Sequence, residues 1–244
     1  MLTVWLARPP VNAVDQPLYK ALYDLFSDIE QVGTGVQAVV LAGDGPHFCA
    51  GNDLDEFETM TARNGRERMF HVREAFFAIQ ECKVPVIGAV HGAALGTGLA
   101  LAASCDFVVA SHDARFGLPE ITIGVMGGAA HLARLVPTPQ VRWMFFTGQP
   151  ISAERLYELG GIIEVVDRDE LLACAHRHAQ LIASYSPTGL RVAKRRLNTI
   201  EFLDLQRAYE LEQGDTCLMA DHPDSKEALR AWRERRTATY LPPA

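Results

Sequence analysis

The chain has 244 residues, of which 48% are hydrophobic and 22% are charged, and its formal net charge is −7. This composition predicts a packed globular core and excludes an intrinsically disordered chain. The acidic balance argues against nucleic acid as a partner, because phosphate binding needs a basic face. No apolar run reaches the roughly 18 residues that span a bilayer, so we expect no membrane partner either.

The cysteines and histidines give no sign of a disulfide framework or a metal site. The five cysteines are far apart and form no C-x-x-C pair, which favours reduced thiols. His176 and His178 lie two residues apart on a polar helix, so they face different sides and are expected to be solvated. The first residues lack the basic region and cleavage site of a secretory signal, so we expect a cytoplasmic protein.

Short apolar runs alternate with helical patterns along the first three quarters of the chain. The runs 37–41, 85–90 and 107–110 are rich in Val and Ile and are typical of strands. Apolar residues recur on one helical face within 18–29 and within 69–79. Repeated strand and helix units of this length predict an α/β architecture with right-handed crossovers.

The pattern changes after about residue 185. Strand signals end there, and three helical segments are predicted at 187–199, 201–220 and 223–236. We therefore expect an α/β core over residues 1–185 and a helical region over residues 186–244. The helical region carries more apolar residues than three isolated surface helices need, which favours burial against a partner subunit.

A glycine-rich segment follows the first of these predicted strands. Gly43, Gly45 and Gly51 lie around Ala50, and glycines allow positive φ and a close approach to a ligand. The small side chain of Ala50 leaves its N–H uncovered. Taken alone, the segment favours an ordinary glycine-rich turn over a ligand-binding loop.

A second glycine-rich segment, 92–98, lies directly after a strand and before a helix of small residues. Glycines at a helix start expose unpaired N–H groups that can bind an anion or a polarised oxygen. Tight packing of the helix against the sheet is an alternative reason for the same small residues. Two N–H sources from separate strand ends suggest an oxyanion hole, which stabilises the enolate of a thioester.

Glu120 is the candidate acid/base. It follows Pro119 in a mostly apolar stretch that includes Phe116, Leu118 and Ile121. An isolated carboxylate in such surroundings should have a raised pKa, which suits proton transfer. A solvated loop glutamate is the alternative interpretation.

The order and spacing of these segments resemble the crotonase (enoyl-CoA hydratase/isomerase) superfamily over almost the whole chain. The opening residues 6–15 are similar to the family's first CoA-contacting loop, 147–160 to its helix pair, and 224–236 to its C-terminal helix. Glu120 and two segments are similar to its thioester site: His47-Phe48-Cys49-Ala50-Gly51-Asn52-Asp53-Leu54 and Ala94-Leu95-Gly96-Thr97-Gly98-Leu99-Ala100.

The resemblance implies a spiral of ββα units with two nearly perpendicular sheets and a C-terminal helical trimerisation region. It also implies an acyl-CoA substrate, with no cofactor beyond the coenzyme A of the substrate, and a homotrimer or a dimer of trimers. The implied oxyanion donors are the N–H groups of Ala50 and Thr97, and Glu120 is the implied acid/base. Further substrate contacts are implied for Asn12, Ala13, Cys49, Gly51, Asn52, Asp53, Leu54, Gly96, Ala100, Met126 and His131.

Several positions depart from the family's pattern. The second glutamate of the hydratases corresponds to Ala100. Thr97 stands where glycine is usual, and its hydroxyl is not expected to contribute if only its N–H is used. The segment 124–131 is short and ends in His131, so we expect a reshaped pocket wall. The first hairpin is expected to be truncated or absent.

A single glutamate favours moving a double bond over adding water. One base can take a proton from one carbon and return it to another, whereas concerted hydration needs a second group. We therefore expect a CoA-thioester isomerase, with a hydratase that uses one glutamate as the alternative. An acyl-CoA-binding protein with little catalysis and an RNA-binding relative are hypotheses of another class. The acidic charge weighs against RNA, and Glu120 weighs against an inactive site.

Overall fold

A computed structural model describes residues 1–240, which contain eight strands in two sheets. The strands are β1 Leu2–Leu6, β2 Val39–Gly43, β3 Val86–Val90, β4 Ala93–Leu95, β5 Phe107–Ser111, β6 Arg115–Gly117, β7 Ile151–Ser152 and β8 Glu164–Val166. The helices are α1 Gln16–Ser27, α2 Leu54–Glu58, α3 Gly65–Gln80, α4 Thr97–Ser104, α5 Ala129–Leu132, α6 Thr138–Thr147, α7 Ala153–Glu158, α8 Leu171–Ala183, α9 Pro187–Ile200, α10 Leu205–Ala220 and α11 Pro223–Glu234. Two 3₁₀ helices are Ile29–Gln31 and Pro119–Ile123.

The large sheet has the order β1-β2-β3-β5-β8, and every neighbouring pair in it is parallel. In the small sheet β4 runs parallel to β6, and β7 pairs antiparallel with β6. The chain repeatedly places one strand in each sheet before it forms a helix. Thus β3 and β4 precede α4, and β5 and β6 precede the 3₁₀ helix Pro119–Ile123. This repeat confirms the predicted α/β fold.

Helices cover both faces of the large sheet, which explains why its central strands are apolar throughout. All residues of β2 and β3 are buried, as expected for parallel strands packed on both sides. One face packs against α1 and α3 through residues such as Leu41 and Ile79, and the other packs against α8 through Val40 and Cys174. None of the helices within residues 1–240 is both long enough and apolar enough to cross a membrane.

The predicted elements agree with the structure to within a few residues. The runs 37–41, 85–90 and 107–110 correspond to β2, β3 and β5. The strands β4, β6 and β7 have only two or three residues, too few to show a periodic pattern. The helix predicted from residue 201 begins at Leu205, because the Asp204 side chain caps it by accepting from Arg207 N at 3.1 Å.

A buried ion pair joins the C-terminal helices to the core. Lys194 on α9 is 4% exposed, and its Nζ donates to Asp106 Oδ2. The same oxygen accepts from Val86 N at 2.6 Å, so Asp106 connects α9 to the start of β3. The three C-terminal helices and the turn between α9 and α10 expose large apolar side chains, including Trp232 on α11 and Phe202 in the turn. The role of this region in oligomerisation stays a prediction.

Replacing Lys194 by methionine should lower the free energy of unfolding by about 2 kcal/mol, because Asp106 would lose its cation. This value lies below that of a fully buried pair because Asp106 is partly exposed. Urea denaturation measures the loss. Lys226→Met is the matched control, since it removes the exposed partner of Asp221 at 3.2 Å and should change stability by less than about 0.5 kcal/mol. Equal losses in the two variants would contradict the importance of the buried pair.

Candidate active site

The segments that follow the parallel strands β1, β2 and β3 meet at the carboxyl ends of these strands. Ligands usually bind at this end of a parallel sheet. The loop after β2 lies between the other two. On one side Val14 N donates to Gly51 O at 2.9 Å, and on the other Cys49 N donates to Ala93 O at 2.9 Å. Parallel bridges at both contacts set the register of the loops.

Two glycines are required because the loops approach each other so closely. A Cβ atom at Gly98, in the first turn of α4, would lie 2.0 Å from the Cys49 carbonyl oxygen. A Cβ atom at Gly96, where φ is +52°, would lie 2.7 Å from Glu120 Oε1. The tight packing considered as an alternative is therefore present, and it brings the start of α4 against both the loop after β2 and Glu120.

The backbone donors differ from the predicted pair. Ala50 N–H donates to Val11 O at 3.0 Å, so the prediction that it is a free oxyanion donor is wrong. The N–H groups of Cys49 and Ala50 are each taken by one of the neighbouring loops. The N–H groups of Asn52 and Thr97 donate to no protein acceptor within residues 1–240.

These two free donors occupy equivalent positions in their loops. Cys49 forms a parallel bridge with Ala94, and Asn52 and Thr97 each follow that bridge by three residues. Both line the same cavity. Thr97 is also the first residue of α4, where the helix dipole favours negative charge. The arrangement can stabilise an oxygen on which negative charge develops.

Glu120 brings an unpaired carboxylate into this cavity. It lies on the 3₁₀ helix Pro119–Ile123, and its Oε2 is buried with no hydrogen-bond partner among the described residues. Burial raises the pKa of Glu120 above its ordinary value, which favours proton exchange closer to neutral pH. This burial excludes the solvated alternative.

The cavity has a volume of about 500 Å³ and contains Glu120 together with both free donors. Nine of the predicted residues line it, namely Ala13, Ala50, Gly51, Asn52, Asp53, Leu54, Gly96, Thr97 and Glu120. Much of the remaining wall is apolar and consists of Pro10, Val11, Phe57, Pro119, Ile123 and Val125. Such a cavity suits a largely apolar ligand that carries one polarised oxygen.

Two residues predicted to bind substrate hold the loops together instead. Asn12 is 2% exposed, and its Nδ2 donates to the carbonyls of Asp44 and His47 at 2.8 and 2.9 Å. Its Oδ1 accepts from Arg8 N at 2.9 Å. Cys49 is fully buried. Neither lines the cavity, so the predicted substrate contacts of Asn12 and Cys49 are wrong.

Ala100, Met126 and His131 also lie outside the cavity lining. Ala100 is 2% exposed within α4, whereas Met126 is 70% exposed. His131 packs edge-on against Phe76 with ring centroids 4.8 Å apart, and burial lowers the pKa of its imidazole. The burial of Ala100 argues against its predicted direct contact. The substrate contacts of Met126 and His131, and the reshaped wall expected from segment 124–131, stay predictions.

Arg8 lines the cavity but was not among the predicted site residues. Its guanidinium lies 2.5 Å from Asp53 Oδ2 and 3.0 Å from Asp15 Oδ2. Both carboxylates compensate its charge within the protein. Arg8 therefore fixes the loop after β1 against Asp53 more than it offers a free cation to a ligand.

Tyr19 on α1 was also missed. It is 1% exposed, and its hydroxyl lies 2.5 Å from Asn52 Oδ1 and 2.8 Å from Thr97 Oγ1. A sequence signal for it existed, since Tyr19 shares a helical face with Leu22. A phenol on a buried face usually has a hydrogen-bond partner.

A second polar cluster lies away from the cavity, between β8 and α8. Glu164, Cys174 and His178 place ligand-type atoms within 4.8 Å of one another. Glu164 lies 3.1 Å from His178 Nε2 and accepts from Arg177 at 3.1 Å. Because the Arg177 cation already pairs with this carboxylate, we interpret the cluster as a structural contact. His178, which we expected to be solvated, is half-buried and paired.

Comparison with known proteins agrees with this geometry. A family profile described as "Enoyl-CoA hydratase/isomerase" matches residues 1–241. The chain belongs to the enoyl-CoA hydratase/isomerase family. The resemblance to the crotonase superfamily is thereby confirmed, and the protein is an enzyme of that superfamily.

Relatives within this family carry several activities in their names. The chain is 40% identical over 221 residues to the "(7aS)-7a-methyl-1,5-dioxo-2,3,5,6,7,7a-hexahydro-1H-indene-carboxyl-CoA hydrolase" of Mycobacterium tuberculosis, covering 88% of this chain and 87% of that protein. It is 33% identical over 240 residues to the short-chain-enoyl-CoA hydratase of Clostridium acetobutylicum, with coverage of 96% and 91%. The crystal structure of an enoyl-CoA hydratase from Bacillus anthracis superposes with a TM-score of 0.92 at 30% identity, covering 98% and 95%.

The buried acid of this family member should make stability depend on pH. Because burial raises the pKa of Glu120 in the folded state, ionisation of Glu120 costs folded-state stability as pH rises through that pKa. Glu120→Gln removes this cost, so the variant should gain stability relative to wild type between about pH 5 and about pH 8. Urea denaturation at both pH values measures the difference. Glu58→Gln, at an exposed position on α2, is the control, and a constant difference for Glu120→Gln would contradict the burial argument.

Proposed function

We propose that this enzyme acts on acyl-CoA thioesters by moving a proton through an enolate, with Glu120 as acid and base. The observation that carries the proposal is the unpaired Glu120 Oε2 in the same cavity as two free N–H groups. In the proposal, the N–H groups of Asn52 and Thr97 hold the thioester oxygen as negative charge develops on it. Each such donor contributes roughly 10²–10³ in rate in acyl-transfer enzymes.

A single unpaired carboxylate favours isomerisation of a double bond. Glu120 can remove a proton from one carbon and return it to another without a second acid or base. Asp53, a carboxylate in the loop after β2, is already paired with Arg8 at 2.5 Å. It also caps α2 by accepting from Glu56 N at 3.1 Å. At position 100, where similar hydratases have their second glutamate, this chain has a buried alanine.

Addition of water is the second candidate, and the names of the relatives favour it. One relative is named a hydrolase of a dioxo-indene-carboxyl-CoA, and another is named a hydratase. In such a reaction Glu120 would deprotonate the attacking water and later protonate the enolate carbon. The N–H groups of Asn52 and Thr97 would again hold the thioester oxygen. The candidates differ in product mass, because an isomerase leaves it unchanged and the water-dependent reactions add one water.

The cavity lining favours an uncharged acyl group. Arg8 is the one lysine or arginine among the lining residues, and Asp15 and Asp53 already pair with it. A carboxylate at the end of the acyl chain would therefore find no free cation there. The substrate's coenzyme A is the only nucleotide group that the proposal requires, and we propose no separate cofactor.

Glu120→Gln tests the central role, because the amide keeps the shape of the side chain and cannot act as a base. Turnover should fall by about 10²–10⁴ while the Kd for an acyl-CoA stays similar. Wild-type turnover should fall on acidification, because the active base is deprotonated. The midpoint should lie above pH 4.5, the ordinary pKa of glutamate, since burial raises the pKa of Glu120. Glu58→Gln is again the control for substitution at an exposed position.

A substrate panel separates the two candidates. The panel contains a 3-enoyl-CoA, a 2-enoyl-CoA, a cyclic oxoacyl-CoA and a 2-enoyl-CoA with a terminal carboxylate, and products are identified by mass and ultraviolet absorbance. Conversion of the 3-enoyl-CoA to a conjugated product of equal mass supports the isomerase. Products heavier by one water support the second candidate. Unchanged turnover in Glu120→Gln would remove Glu120 from both mechanisms.

We also propose that the enzyme assembles through its C-terminal helices as a homotrimer or a dimer of trimers. The apolar side chains that these helices and the turn between α9 and α10 leave exposed include Leu197, Phe202, Leu205, Tyr209, Leu218 and Trp232. An apolar surface of this kind usually marks a subunit interface. The cytoplasmic location stays a prediction.

Light scattering at micromolar concentration should give three or six times the chain mass of 26.8 kDa. Phe202→Glu should shift the protein towards the monomer, because it places a charge on a side chain that is 81% exposed in the single chain. Ile163→Glu, at a 52% exposed position outside these helices, should leave the mass unchanged. A monomeric wild type would contradict the assembly.

A further inference from the structure

A chain of three hydrogen-bonding side chains connects the two proposed oxyanion donors, with the buried Tyr19 hydroxyl between half-buried Asn52 and buried Thr97. The Tyr19 hydroxyl lies 2.5 Å from Asn52 Oδ1 and 2.8 Å from Thr97 Oγ1. Tyr19 is 1% exposed and Thr97 is 5% exposed. Water therefore does not compete for the hydrogen bond between Tyr19 and Thr97, whereas Asn52 is half-buried at the wall of the cavity.

The number of available protons determines which group donates in each of the two hydrogen bonds. A phenol has a single O–H, and Tyr19 donates it to Asn52 Oδ1. Thr97 must then donate its own proton to the Tyr19 oxygen, so the order is Thr97 to Tyr19 to Asn52. Burial raises the pKa of Tyr19 above its ordinary value, which keeps the phenol protonated and the chain intact.

These side-chain hydrogen bonds act where the backbone contacts between the two loops have ended. The bridge between Cys49 and Ala94 aligns the two loops, but the donors Asn52 and Thr97 follow it by three residues. Tyr19 reaches them from α1, a third element that is held in place by its own packing on α3. There the Tyr19 and Phe76 rings meet edge to face with centroids 6.1 Å apart.

We propose that Tyr19 is a positioning residue, whose hydroxyl fixes Asn52 and Thr97 so that their N–H groups point at one oxygen of the substrate. The inference rests on the proposed function, because it requires that these N–H groups hold the thioester oxygen. The apolar part of Tyr19 is sufficient for packing, and phenylalanine would fill the same space. A buried hydroxyl without partners would cost stability. Here both of its partners are residues of the site.

The experiment measures polarisation of a bound thioester directly. The probe is 4-dimethylaminocinnamoyl-CoA, whose conjugated absorption band moves to longer wavelength when hydrogen bonds draw charge onto its carbonyl oxygen. Wild type should give a clear red shift. Tyr19→Phe should lose about half of that shift or more and should lower kcat on the best substrate of the panel about 5- to 20-fold. The Kd of the probe should change by less than about threefold, because the wall of the cavity is unaltered.

Three further variants and one control separate positioning from packing. Thr97→Val removes the other hydroxyl of the chain and should reduce the red shift as Tyr19→Phe does. Thr97→Ser keeps a hydroxyl and should retain several-fold more activity than Thr97→Val. The losses of red shift in Tyr19→Phe and Thr97→Val should not add in the double variant, because both substitutions interrupt the same set of hydrogen bonds. Tyr23→Phe is the matched control, since Tyr23 lies one turn further along α1 and is 42% exposed.

Each outcome decides a separate point. No red shift in the wild type would overturn the oxyanion hole, and with it the role of Tyr19. A wild-type shift that stays complete in Tyr19→Phe and Thr97→Val would overturn the positioning role alone and leave the proposed function intact. A merely structural hydroxyl would lower the melting temperature without changing the red shift of the folded, probe-saturated protein. If Tyr19→Phe does not fold, the comparison of Thr97→Val with Thr97→Ser decides the question.

Discussion

The close contact between Gly98 and the Cys49 carbonyl is the constraint on which the site depends. There is no space for a side chain at this point, since a Cβ atom would lie 2.0 Å from the oxygen. The contact fixes the start of α4 against the loop after β2, and the ends of the parallel strands carry both segments. The free N–H groups, the carboxylate of Glu120 and the cavity all follow from the position of these two segments.

This constraint also explains how an acid and two hydrogen-bond donors can share a cavity without neutralising each other. The Glu120 carboxylate lies beside Gly96, where the absence of a side chain makes room for it, and its Oε2 has no partner within the described residues. Charged neighbours are paired elsewhere, as Arg8 is with Asp53. Within the described residues, the buried carboxylate oxygen and the two free N–H groups therefore lie in a cavity where a ligand can satisfy them, at a cost to the stability of the empty protein.

The sequence predicted the parts of the site that depend on residue type and missed those that depend on which neighbour a group meets. Glycine, a small-residue helix and an acid in an apolar stretch each indicate a candidate site locally, and the structure brings residues of the two loops together with Glu120 in one cavity. Their roles in binding and catalysis stay predictions. Ala50 was the wrong donor because its N–H meets Val11 O, a contact that depends on the register of a loop far away in the chain. Tyr19 was overlooked because its partners come from two other segments of the chain. The strands β2, β3 and β5 were predicted because they contain runs rich in Val and Ile. β1 has the same length but was not predicted, and β4, β6, β7 and β8 have only two or three residues.

The burial of Glu120 Oε2 has a kinetic consequence. In the proposed isomerisation, a proton taken from the substrate is held by a buried oxygen that has no hydrogen-bond partner among residues 1–240. Where its transfer back to a substrate carbon is faster than exchange with water in the cavity, the proton returns without mixing with the medium. The enzyme would carry the same hydrogen nucleus from one carbon to the other, so an isotope introduced at the first carbon would remain with the molecule instead of exchanging into the medium.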